Sequence, residues 1–163
     1  MADAAQVQRL AGKKEIALFT TLTHPSEDGM AESWIKKQYE NYALGHIVNF
    51  AIVQKHDQEL IGSIGLTLSE EHSRGELGFW IGMPYWGQGY CTEAAREIVD
   101  YGFNTLDLHR IYALHYSRNT GSGKVLQKLG MTYEGKQRQH YQRFRRWEDA
   151  ALYGMLKAEY KIV

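Results

Sequence analysis

The chain has 163 residues, 44% hydrophobic and 12% aromatic, which is enough apolar side chain for one substantial core and too short for two ordinary domains. Lysine plus arginine and aspartate plus glutamate are equal at 19 each, so no whole-molecule field favours nucleic acid, acidic membranes or polyanions as partners. One cysteine excludes an internal disulfide, and neither a secretory leader nor an apolar run of membrane-spanning length is evident, so a cytoplasmic single domain over 1–163 with no membrane partner is expected.

The amino-terminal third reads as two short helices. "DAAQVQRLAG" places Ala4, Val7, Leu10 and Ala11 on one stripe, and "MAESWIKKQYENYALG" repeats the spacing with Trp34, Ile35, Tyr39 and Tyr42. From His46 the period changes. "HIVNFAIVQ" and "ELIGSIGLTL" are β-rich runs joined as a hairpin by "KHDQ", and "GELGFWIG" is a third, central strand. From Cys91 the positions Ala94, Ala95, Ile98, Val99, Gly102 and Phe103 recur at helical spacing. "RIYALHYS" is the next strand, "NTGSGKVLQKLG" a short helix, and "MTYEGKQRQHYQRF" pairs with "DAALYGML" around "RRWE". Strands and helices therefore interleave in one α/β layer structure.

Between the third strand and its helix lies "GMPYWGQGYCTEA", with Gly82, Gly87 and Gly89 among aromatics. A glycine-rich turn leaving a strand and entering a helix lets several N–H groups converge at the positive end of the helix dipole, worth roughly half an elementary charge. Such a turn binds a pyrophosphate without a basic side chain. Neither the dinucleotide fingerprint nor the P-loop is met, and a mere change of chain direction is the alternative.

Taken together, "GELGFWIGMPYWGQGYCTEA", "LHRIYALHYSRNTGSGKVLQKLGMTYEG" and "RRWEDAALYGML" resemble the GNAT acetyltransferases, in the branch of the RimJ/RimL ribosomal-protein N-acetyltransferases. The resemblance implies a mixed, twisted, mostly antiparallel sheet splayed between the family's fourth and fifth strands, here "GELGFWIG" and "RIYALHYS", with acetyl-CoA in the split. It implies that Gly87, Gln88, Gly89, Tyr90, Cys91 and Thr92 present the loop to the pyrophosphate. Phe79, Trp80, Ile81 and Gly82 would run beside the pantetheine arm as a missing strand. Asn119 would hold the arm from the other side, Ser122 would lie near the sulfur, and Lys124 would reach a phosphate or point to solvent. The family's usual first strand is missing before the first helix, and an uncovered edge invites a homodimer.

The implied reaction moves an acetyl group from acetyl-CoA, as cosubstrate and without a metal, to a primary amine of a protein amino terminus or a small molecule. A primary amine of pKa about 10 is about 99.9% protonated at pH 7, so making the nucleophile costs roughly 4 kcal/mol unless the site accepts a proton. Ser122 is the candidate acid for the departing thiolate. Glu76, His140 and Tyr141 are the candidates for receiving the proton, with ordered water as the alternative relay. Cys91, at a helix amino terminus, offers a rival covalent route through a thiolate. A non-catalytic acyl-CoA sensor is the alternative of another class. Lys136 to Arg146 is the one basic concentration, and strand alternation spreads it over two faces, so a nucleic-acid partner is not expected. His109 and His115 have no metal-ligand spacing and read as scattered residues.

Overall fold

The computed structural model describes residues 2–20, 22, 24 and 26–161. Three helices open the chain, α1 (Ala4–Ala11), α2 (Lys14–Ala17) and α3 (Met30–Ala43). α1 buries Ala4, Val7, Leu10 and Ala11, the stripe that the spacing predicts. α2 is an addition to the two expected helices. Lys13 is extended and the helix restarts at Lys14 to bury Ile16 and Ala17, and four residues are too few for periodicity to register.

The remaining elements are β1 (Ile47–Val53), β2 (Leu60–Ser69), β3 (Arg74–Ile81), α4 (Tyr90–Asn104), β4 (Arg110–Tyr116), α5 (Thr120–Lys128), β5 (Thr132–Arg143) and β6 (Arg146–Leu156). They form one six-stranded sheet in the order β1-β2-β3-β4-β6-β5. Every neighbour pair is antiparallel except β3 with β4. Among the described residues no strand precedes α1, and β1 is an edge strand paired with β2 alone.

The β3–β4 contact positions the site. Its parallel ladder holds only Arg74 with Arg110, Gly75 with Ile111 and Glu76 with Tyr112. Beyond Glu76, β3 stays on β2 as far as Ile81, and β4 stays on β6 as far as Tyr116. Each strand keeps one partner, so the divergence exposes polar main chain only on the two facing edges. A wedge opens there, in the place expected for the splay.

β3 also divides the core, because successive side chains point to opposite faces. Ile81 joins Val48, Leu66, Leu77, Ile98, Phe103, Ile111 and Met155 under α4. Trp80, its chain neighbour, joins Val7, Leu10, Ile16, Ala31 and Ile35 under the amino-terminal helices. α4 lies close on the sheet at Gly102, where a Cβ would meet Ile111 Cδ1 at 2.7 Å and Leu66 Cδ1 at 2.9 Å.

The last hairpin turns at a different place from the expected "RRWE". Arg143 pairs with Arg146, and the turn is Phe144–Arg145, both left-handed at φ 48 and 60, the signs of a two-residue hairpin loop. Neither residue is a turn former, so local turn chemistry points elsewhere, and the register of β6 on β4 and β5 decides. A bulge between Gln137 and Tyr141 lifts Arg138 and His140 out of the ladder. The basic charges are dispersed: Lys136 pairs with Asp149 at 3.2 Å, while Arg143 bonds the carbonyls of Ala17 and Leu22.

Candidate active site

The main chain between β3 and α4 makes the first half of the site. Gly87 and Gly89 have φ of 74 and 92, left-handed values that place the loop's amides in front of α4 and that other residues reach only with strain. Gly89 is the N-cap, so Tyr90, Cys91 and Thr92 form the first turn, whose N–H groups have no partner within the helix. Among the described residues none accepts from the amides of residues 87–92. This fan of donors at a helix start suits a diphosphate. Gln88 folds its side chain back to donate to the Pro84 carbonyl at 2.8 Å, leaving its main chain to face the loop.

A cavity of about 430 Å³ runs from this loop into the wedge, lined by Phe79, Ile81, Thr92, Asn119, Ser122 and Lys124 among others. Gly82 donates to the Ile61 carbonyl at 2.8 Å, so alternation turns the polar groups of Trp80 and Gly82 toward β2 and those of Phe79 and Ile81 toward the wedge. Trp86 already occupies the Ile81 carbonyl, through its indole N–H at 2.7 Å. Beyond the ladder, both main-chain groups of Phe79 and the N–H of Ile81 face the wedge and are available to a strand-like ligand.

Asn119 and Ser122 lie on the opposite wall. Asn119 caps α5, accepting from the Ser122 amide at 3.2 Å, and donates to Ser122 Oγ at 2.9 Å. That second bond fixes the Ser122 hydroxyl as an acceptor from Asn119, with its own proton free to be given away. Lys124 is joined on this rim by Lys128, one turn later, and by Arg118.

A second cavity of about 360 Å³ opens on the other side of the same wedge, lined by Trp34, Asn49, Glu76, Tyr116 and Tyr141 among others. The two cavities share Phe19, Thr20, Phe79, Trp80 and Ser122. Glu76 closes the last rung of the β3–β4 ladder, at the apex of the wedge, and accepts from the Tyr112 hydroxyl at 3.1 Å. Burial first, and then the Glu76 charge, hold the Tyr112 and Tyr141 hydroxyls above the ordinary tyrosine range. Tyr116 is raised by burial too, and stands edge-on to Tyr141 with ring centroids 5.2 Å apart. All three phenols are proton-bearing donors at neutral pH, and Glu76 is the carboxylate among them.

Of the other candidates, His140 is exposed on the bulge and lines neither cavity. Burial argues against the covalent route through Cys91, although the residue borders the cavity at the loop. Its thiol packs against the core under α4, and burial pushes it up to about 12 instead of down, so the sulfur stays protonated. His115 is not a surface residue. It is half-buried, stacked on Tyr153 at 5.7 Å, with Nδ1 2.9 Å from the Tyr116 carbonyl and with burial lowering its affinity for a proton.

Sequence reasoning missed Tyr112, Tyr116, Asn49, Arg118 and Lys128. The repeat of lysine at Lys124 and Lys128, four residues apart on one helical face, was the one local signal. The others meet only through strand pairing or across the wedge.

Comparison with known proteins agrees with this geometry. The family described as "Acetyltransferase (GNAT) domain" matches residues 1–132. The uncharacterized N-acetyltransferase p20 of Bacillus licheniformis is 31% identical over 147 residues, covering 90% of this chain and 83% of the relative. The solved ribosomal-protein-S5-alanine acetyltransferase of Vibrio fischeri superposes with a TM-score of 0.83 at 23% identity, over 99% of this chain and 91% of its own. Mycobacterium smegmatis RimJ in complex with CoA-disulfide gives a TM-score of 0.84 at 22% identity, over 97% of this chain and 79% of its own.

Proposed function

This chain belongs to the GNAT acetyltransferase family, and from that premise we propose that it carries an acetyl group from acetyl-CoA to a primary amine by direct attack in a ternary complex, within one domain spanning 1–163. It is an N-acetyltransferase with acetyl-CoA as cosubstrate. The observation that carries the reading is the meeting of two cavities, one at the amide fan and one at Glu76, on Phe79, Trp80 and Ser122. A donor held on one side and an acceptor on the other touch without a covalent enzyme intermediate.

Bound acetyl-CoA supplies the activated thioester. The amides of residues 87–92 hold the diphosphate, with Lys124, Lys128 and Arg118 around it, and the free groups of Phe79 and Ile81 align the pantetheine arm. An N–H on that edge steadies the carbonyl oxygen as charge develops on it. Glu76 receives the proton of the incoming ammonium, directly or through water, and the Tyr112 hydroxyl holds the carboxylate in place. The Ser122 hydroxyl, oriented by Asn119, protonates the leaving sulfur. Tyr141 and Tyr116 form the aromatic wall beside the amine.

The acceptor is a protein amino terminus, as of a ribosomal protein, or a small amine. Among the described residues lining the acceptor cavity Glu76 is the one acid, which favours an acceptor presenting one cationic amine over a polyamine or an aminoglycoside. A cytoplasmic setting fits the reading, and among the described residues no helix is long and apolar enough to cross a membrane. A homodimer through the β1 edge belongs to the proposal and is checked by sedimentation.

The test pairs calorimetry with acetyl-CoA and thiol release across a panel of peptides, diamines and aminoglycosides. Release with peptides supports the reading. Binding without release for every amine overturns it in favour of an acyl-CoA sensor.

A further inference from the structure

The chain after α2 borders the wedge, where Phe19 and Thr20 line both cavities and Leu22 lines the acceptor side. Ala17 ends α2, and Leu18, Phe19, Thr20 and Leu22 lie outside regular helix and strand, so the carbonyls here need partners from elsewhere. Two guanidiniums supply them from the far wall. Arg118 donates to the Leu18 carbonyl at 2.7 Å and to Glu148 at 2.9 Å, and its charge lies 4.8 Å from the Phe19 ring centroid. Arg143 donates to the Ala17 carbonyl at 3.0 Å and to the Leu22 carbonyl, bracketing Phe19 and Thr20 from both ends.

We propose that Arg143 and Arg118 are positioning residues for the acceptor amine, tying the roof formed by Ala17, Leu18, Phe19, Thr20 and Leu22 to the β4–β6 half of the sheet and so setting the width of the acceptor cavity. The inference rests on the acetyltransferase reading above. The two halves of the sheet share three rungs at the apex, so the width of the open end depends on what bridges it. The bridge crosses from an amino-terminal loop to β5 and to the β4–α5 junction, a hundred residues or more on. A forked guanidinium bonds two carbonyls, or a carbonyl and a carboxylate, at once, which the single ammonium of lysine does not reproduce. Arg143 lines neither cavity, so its influence on the amine passes through the roof. Arg118 also borders the acetyl-CoA cavity, and its loss reaches both ligands.

The experiment compares wild type with R143K and R143M. Expected is a rise in acceptor KM of tenfold or more for R143M, a smaller change in kcat, and an acetyl-CoA Kd within twofold of wild type, with R143K recovering only part of the loss. Hydrogen exchange should quicken at residues 17–20 and stay unchanged in β3 and α4. An unchanged acceptor KM overturns the proposal, as does a loss in which Kd, kcat and melting temperature fall together with faster exchange throughout. If the wild type acetylates no amine, the functional reading fails on its own, and the exchange pattern still decides whether Arg143 holds the roof.

Discussion

The indole of Trp86 donates its N–H to the carbonyl oxygen of Ile81 at 2.7 Å, tying the glycine-rich loop back to the strand it has just left. The bond satisfies the last outward-facing carbonyl of β3 and holds the start of the amide fan against the wedge. The ring itself is 45% exposed, so its hydrogen bond and not its burial accounts for its placement.

Replacing Trp86 with Phe keeps an aromatic ring and deletes the donor. A neutral hydrogen bond contributes about 1 kcal/mol net, so acetyl-CoA affinity should fall about fivefold by calorimetry. The melting temperature should move by only a few degrees. Unchanged affinity would show that the loop orients itself without the indole.

Gly89→Ala separates conformation from contact. A Cβ there meets no atom within 4 Å, so the cost is the left-handed φ of 92, about 1 kcal/mol for a residue other than glycine. Relaxation of that strain turns the amides of the first turn away from their common focus. Acetyl-CoA affinity should therefore drop tenfold or more while the unfolding midpoint falls slightly; a drop in stability with affinity intact would contradict the role given to the fan.

Glu76→Gln should lower kcat/KM for the amine about a hundredfold at neutral pH, the range for loss of a general base. The acetyl-CoA Kd should not move, because Glu76 lines the acceptor cavity alone. Tyr141→Phe should lower kcat without moving the lower limb of the pH profile, since burial keeps the phenol protonated beyond the ordinary range. Steady-state rates from pH 6 to 9 check both.

Cys91 makes a pH prediction whose sign follows from its burial. The folded chain retains the thiol proton from the ordinary value of 9.0 up to about 12, while the unfolded chain releases it. The unfolded state then binds fewer protons, so this contribution is complete below pH 9.0 and declines with rising pH through that window, at up to about 1.4 kcal/mol per unit. Cys91→Ala should flatten that alkaline loss in urea titrations and leave turnover at pH 7.5 unchanged.

The amino-acid order by itself determined the elements and the loop. Periodicity located α1, α4 and the strands because each buries a face whose spacing is a local property, whereas α3 buries only Ala31 and Ile35 and leaves Tyr39 and Tyr42 of its expected stripe exposed. Gly87 and Gly89 revealed the amide fan because positive φ and the absence of a Cβ are properties of the residue. The last hairpin turns at Phe144 and Arg145 and not around "RRWE", because neither residue carries a local turn signal and the ladders of β6 set the register. Only the tertiary structure decided which groups work together. Glu76 and Tyr112 meet across a parallel ladder, Arg143 and Ala17 are joined across the wedge, and burial raises the Cys91 thiol where a helix start alone would lower it. Distance through space and exclusion of water set those relationships, and neither is a function of neighbouring residues along the chain.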